Sequence, residues 1–98
     1  MNKASIVCDE KKHAGGKIVK VCIKICDDLV KGVMISGDFF VEPAENFEEL
    51  LRELASIEVK RGEVITLITE SLKKKNIEFG GITIEDVTEV LSKILQQK

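Results

Sequence analysis

Residues 17–26 read Lys17-Ile18-Val19-Lys20-Val21-Cys22-Ile23-Lys24-Ile25-Cys26, and the alternation in this stretch decides the fold. Val19, Val21, Ile23 and Ile25 fall on one face of an extended chain, and Ile18, Lys20, Cys22, Lys24 and Cys26 on the other. Asp27-Asp28 supplies a turn, because aspartate tolerates the left-handed conformation and bonds its own backbone. Leu29 to Ser36 returns as a second strand, which makes a hairpin. A weaker strand over Ala4 to Glu10 can pair with it, and Gly15-Gly16 links the two.

The second half changes period. Phe47, Leu50, Leu51 and Leu54 recur at helical spacing, which predicts a helix from about Asn46 to Ser56. Asn46 with Glu49 forms a capping-box pattern, and Pro43 as a first helical residue is an alternative start. A second helix covers about Glu63 to Lys75, with Val64, Leu67, Ile68, Ser71 and Leu72 inward and Lys73-Lys74-Lys75 at its negative end. Gly80-Gly81 ends that segment. A third helix starts at Thr83, whose hydroxyl can cap it with Asp86 three residues on. Its apolar stripe is Val87, Val90, Leu91, Ile94 and Leu95.

Strands first and helices after predict one α+β domain over residues 1–98, a three-stranded, mainly antiparallel sheet with about three helices on one face. The 98 residues leave no room for a second core. Apolar runs of four or five residues are far short of the ~20 that a membrane-spanning helix needs. The start, Met1 to Asp9, has no signal-peptide apolar region. A net charge of −2 with no Trp or Tyr argues against a nucleic-acid binder. Three cysteines cannot all pair within one chain, and no feature signals secretion, so reduced thiols in the cytoplasm are expected.

Candidate chemistry is sparse. Cys22 and Cys26 share a strand face but stand about 13 Å apart, too far for one ion held by bonds of about 2.3 Å. They are expected to be packing residues, and no metal site is expected. His13 reads as an exposed loop residue beside Lys11 and Lys12, with no assembled catalytic group around it. Gly15-Gly16-Lys17 lacks the spacing of a phosphate loop and reads as a turn feeding a strand. The unusual segment is Ser36-Gly37-Asp38-Phe39-Phe40-Val41-Glu42-Pro43. Two adjacent aromatics after a Gly-Asp turn point in different directions. Either both rings pack under the first helix, or one is an interface anchor with Asp38 positioned by the turn.

Gly16-Lys17-Ile18-Val19-Lys20-Val21, a hairpin, Ile35-Ser36-Gly37-Asp38-Phe39-Phe40 and an acidic amphipathic helix together resemble the C-terminal accessory domain of lipoate–protein ligases. The ending Gly81-Ile82-Thr83-Ile84-Glu85-Asp86-Val87 is similar to that domain's last helix, and the resemblance runs from about Lys12 to Leu95. Asp28 departs from the family, which usually has Gly in the hairpin turn.

The resemblance implies a small, non-catalytic subunit of a bipartite ligase, an arrangement mostly archaeal. Its catalytic partner would bind ATP and lipoate, with magnesium, form lipoyl-AMP and pass the lipoyl group to an acceptor lysine. No cofactor and no catalytic residue are implied in this chain. Gly16, Lys17, Gly37, Asp38, Phe39 and Phe40 are the implied partner interface. The same domain also resembles iron–sulfur scaffolds, but those carry a thiol where this chain has Gly37-Asp38-Phe39-Phe40. A scaffold, or an unrelated small interaction module, is therefore the alternative.

Overall fold

The alternating stretch is a strand, β2 (Ile18–Cys26), in the computed structural model of the chain, which describes residues 4–96. It lies between β1 (Ser5–Lys12) and β3 (Leu29–Gly37), antiparallel to both. Val19, Val21 and Ile23 are fully buried on the expected face. The hairpin turn needs one left-handed residue, and Asp27 supplies it at φ 56°. Past Lys24 the register shifts: Lys24 faces Gly32, Ile25 faces Val30, and Lys31 is left over as a bulge. The alternation weakens there, so Ile25 is half-buried and Cys26 is buried.

Three short strands were not expected. Residues Val59–Lys60, β5, pair with the start of β3, so the sheet has four antiparallel strands in the order β1-β2-β3-β5 rather than three. Phe40–Glu42, β4, pairs with Glu78–Gly80, β6, as a separate two-stranded ribbon. Segments of two or three residues carry too little alternation to be read as strands.

The three helices are α1 (Ala44–Leu54), α2 (Val64–Lys74, entered through a 3-10 turn at Arg61–Glu63) and α3 (Ile84–Leu95). α3 packs on β1 and β2, α1 on β3, and α2 on α3. The apolar stripes read from the sequence meet the sheet in one cluster. Leu50, Leu54, Ile68, Leu72, Leu91 and Ile94 are fully buried in it, each worth about 1.5–3 kcal/mol of transfer free energy. Of the two possible starts for α1, the one near Pro43 is used: Pro43 is the N-cap. Asn46 does not cap α1; its Nδ2 donates to the Lys75 carbonyl at 2.9 Å and so closes the end of α2. At α3 both reciprocal cap bonds form, Asp86 N to Thr83 Oγ1 at 3.1 Å and Thr83 N to Asp86 Oδ2 at 2.8 Å.

The cysteine expectation needs correction. β1 pairs with β2 so that Cys8 stands directly opposite Cys22, with Cα atoms 4.0 Å apart, and the two form a disulfide. Only Cys26 is a free, buried packing thiol. Cys22 is therefore a cross-strand staple, and replacing it is not neutral. Among the described residues no helix is long and apolar enough to cross a membrane.

Candidate functional site

The segment after β3 is shaped by one forced close approach. Gly37 has φ 153°, and a Cβ on it would lie 2.1 Å from the Ile18 carbonyl oxygen, so no side chain fits. Asp38 then answers both backbone polar groups of Ile18: its N–H donates to Ile18 O at 3.3 Å, and its Oδ1 accepts from Ile18 N at 2.7 Å. The Asp38 carboxylate thereby closes the open end of the β2–β3 pair.

With the turn fixed, the two aromatics diverge. Phe39 turns inward, with its ring centre 6.0 Å from Phe47 and 5.4 Å from Phe79, while Phe47 and Phe79 are 5.7 Å apart. All three contacts are edge-to-face, the favourable arrangement for aromatic quadrupoles. Phe40 turns outward and is 68% exposed. Phe39 is thus a packing residue, and only Phe40 is free to anchor a partner.

Lys17 lies over Phe40, with Nζ 5.1 Å from the ring centre. Its stem passes over Gly81, where a Cβ would fall 2.6 Å from Lys17 Cγ. The Phe40 Cβ sits 3.4 Å from where a Cβ on Gly80 would be. The Gly80-Gly81 pair, read from the sequence only as a terminator, is therefore the floor under this cation and ring. Gly16 acts one step back. It sits in the turn closed by His13 N to Lys17 O at 2.7 Å, which delivers Lys17. Beside Phe40 a shallow groove is rimmed by Glu42 and Glu78, which face each other across β4 and β6. The groove holds no nucleophile with a base beside it; an exposed ring, a cation and two carboxylates can bind a partner surface.

A second polar cluster was missed in the sequence. His13 is not a free loop residue: its Nδ1 lies 2.6 Å from Asp86 Oδ2. Lys11 Nζ lies 2.7 Å from Asp86 Oδ1 and 3.2 Å from Glu89. The Asp86 side chain is only 4% exposed. Burial alone would push its carboxyl up, but Lys11, the Thr83 backbone N–H and His13 together hold it well below the usual carboxylate range. Lys11 is correspondingly raised, by Asp86 first and then Glu89. The capping box revealed half of this cluster; no local signal pointed to His13, whose partner is 73 residues away. Among the described residues, no three His, Cys, Asp or Glu side chains are grouped to hold a metal ion.

The fold is thus an antiparallel sheet under three helices, with an exposed aromatic–cation patch formed by Phe40 and Lys17. A chain from the archaeal lipoylation system of Thermoplasma acidophilum, a bipartite lipoate protein ligase and its E2 lipoyl domain, is similar in fold. The two superpose with a TM-score of 0.67 over 93% of this chain and 97% of the other, at 20% sequence identity. No protein-family model and no curated protein matches the sequence.

Proposed function

We propose that this chain is the small, non-catalytic subunit of a two-part lipoate–protein ligase and works as a heterodimer with the catalytic subunit. The observation that carries the proposal is the fold likeness to a component of a bipartite lipoate ligase system along nearly the full length of both chains. In this role ATP, lipoate and magnesium bind the catalytic subunit, which makes lipoyl-AMP and hands the lipoyl group to a lysine of an acceptor. The acceptor is a lipoyl domain of the kind in the Thermoplasma system. ATP-dependent chemistry of this kind places the pair in the cytoplasm.

Phe40 and Lys17, held over Gly80 and Gly81, are the anchor for the catalytic subunit, with Gly16, Gly37, Asp38 and Phe39 as their support. Docking there orders the partner and excludes water from a reactive acyl-adenylate. An iron–sulfur scaffold is the weaker alternative, because two of the three cysteines bond to each other and the third is buried. An unrelated interaction module would bind a partner through the same patch without affecting any ligase.

The two half-reactions test the proposal. Forming lipoyl-AMP brings two anions together and depends on positioned cations and exclusion of water, whereas transfer from preformed lipoyl-AMP needs mainly orientation. The catalytic subunit alone should transfer from supplied lipoyl-AMP yet make little of it from lipoate and ATP. Adding this chain should restore the whole reaction. Full-rate lipoyl-AMP synthesis by the catalytic subunit alone would overturn the proposal.

A further inference from the structure

The helices cover one face of the four-stranded sheet; the other face is open except at Gly32, where Ala55 at the end of α1 reaches it. Cys8, Cys22 and Met34 form one row across it, and Ile6, Lys24 and Gly32 the next. Ile6 is 65% exposed and Met34 58%, and with Phe40 they are the exposed large apolar side chains of the described residues. Between Ile6, Cys22, Met34 and Ala55 at the end of α1 is a shallow hollow of about 150 Å³. A second hollow lies on the far side of Met34, bounded by Lys20, Ser36 and Leu51.

The charged side chains that line the two hollows are lysines, Lys24 in the first and Lys20 in the second. Lys20 and Lys24 flank Cys22 on the same face, about 13 Å apart along the strand. Neither is in an ion pair among the described residues. No carboxylate lines either hollow. Glu10 stands opposite Lys20 in the register, but the neighbours of Lys24 across both strands, Ile6 and Gly32, are uncharged. An occupant that complements the face presents apolar side chains between two carboxylates spaced about 13 Å apart.

We propose that this open sheet face docks the acceptor protein, through an acidic surface with an apolar centre; the proposal rests on the ligase reading above. The face suits an encounter that forms and breaks at every turnover. It has no deep pocket for an aromatic anchor of the kind that dominates lasting interfaces. Flanking charges act mainly on the rate and selectivity of encounter. A small patch of this kind belongs with transient complexes. The catalytic subunit, which need not leave, has the Phe40–Lys17 anchor instead.

The test uses the reconstituted two-subunit ligase with unmodified E2 lipoyl domain as acceptor. Lys20 and Lys24 are exposed, so a Lys20→Glu, Lys24→Glu double variant should fold, and circular dichroism checks that it does. It should raise the KM for the lipoyl domain about tenfold or more while leaving kcat and acceptor-free lipoyl-AMP formation unchanged. In the parent, kcat/KM should fall with added salt; in the variant it should be nearly flat. Met34→Ser should raise the same KM with the salt dependence kept. An unchanged KM in both variants, with lipoyl-AMP made normally, overturns the docking proposal and leaves the ligase reading standing. Loss of lipoyl-AMP formation, or a changed oligomeric state, in the double variant assigns the face to the catalytic subunit or to a second copy and also overturns it. A parent chain that supports no lipoyl-AMP formation at all overturns both.

Discussion

His13 and Asp86, 73 residues apart in sequence, meet at 2.6 Å and tie the turn between β1 and β2 to the first turn of α3. Asp86 serves three masters at once: the helix cap, the His13 ring and the Lys11 ammonium.

Removing that carboxylate should be felt throughout the fold. Asp86→Ala removes the acceptor for Thr83 N, takes the carboxylate from His13 and leaves Lys11 with Glu89 alone, an expected cost of about 2–3 kcal/mol. Asp86→Asn keeps an acceptor for Thr83 N and should cost less. Urea denaturation of the two variants beside the parent measures both.

The same group sets an acid limit. Its native carboxyl titrates below the unfolded value of about 3.9. The unfolded chain therefore binds the proton first, and stability rises with pH across that window. The stabilisation is present above about pH 4 and is lost as the pH falls toward the native value. Denaturation midpoints between pH 2 and pH 5 should fall less steeply in Asp86→Asn than in the parent. Equal slopes would mean that another carboxyl is responsible.

The adjacent phenylalanines should separate cleanly. Phe39→Ala opens the three-ring cluster and should cost about 2–3 kcal/mol of stability. Phe40→Ala should change stability by no more than about 0.5 kcal/mol and weaken the catalytic subunit's binding by about 2 kcal/mol or more. Thermal melts and binding isotherms on the same two proteins test this. Parental binding by a folded Phe40→Ala would move the anchor elsewhere.

Gly37→Ala places a methyl group against the Ile18 carbonyl, and should cost about 2 kcal/mol or more although the residue is exposed. An alanine at Gly62, where a Cβ would meet nothing within 4 Å, is the control.

Cys8 and Cys22 close a loop with a sequence separation of 14, and such a crosslink is worth about 3 kcal/mol. Cys8→Ser, or full reduction of the parent, should lower the denaturation midpoint to a similar extent. A mass two hydrogens higher in the unreduced parent would show the thiols free.

The hairpin and the helix stripes were legible because each carries its own period over seven or more residues. Val19, Val21 and Ile23 point inward for the same reason that the stretch was read as a strand. The divergence of Phe39 and Phe40 could also be read, though not which ring goes in. That depends on Phe79, 40 positions later, whose short strand carries no pattern. The Cys8–Cys22 bond and the His13–Asp86 contact depend on strand register and on the approach of α3 to β1. Neither is encoded locally, so the first was read as loose thiols and the second as a solvent-exposed ring.

A sheet can also be lengthened by a foreign strand, and the strand order bears on that hazard. At one end, β1 pairs among the described residues only with β2, and its second half is Asp9-Glu10-Lys11-Lys12. Four consecutive charges discourage an added strand. At the other end β5 covers only Leu29 and Val30, and the end of α1 closes on the middle of β3, so near that a Cβ on Gly32 would lie 3.1 Å from the Ala55 carbonyl. A new strand there would have to displace a helix. Both edges of the sheet are therefore poor templates for runaway strand addition, and the exposed Ile6 and Met34 beside them sit on a sheet that is hard to extend.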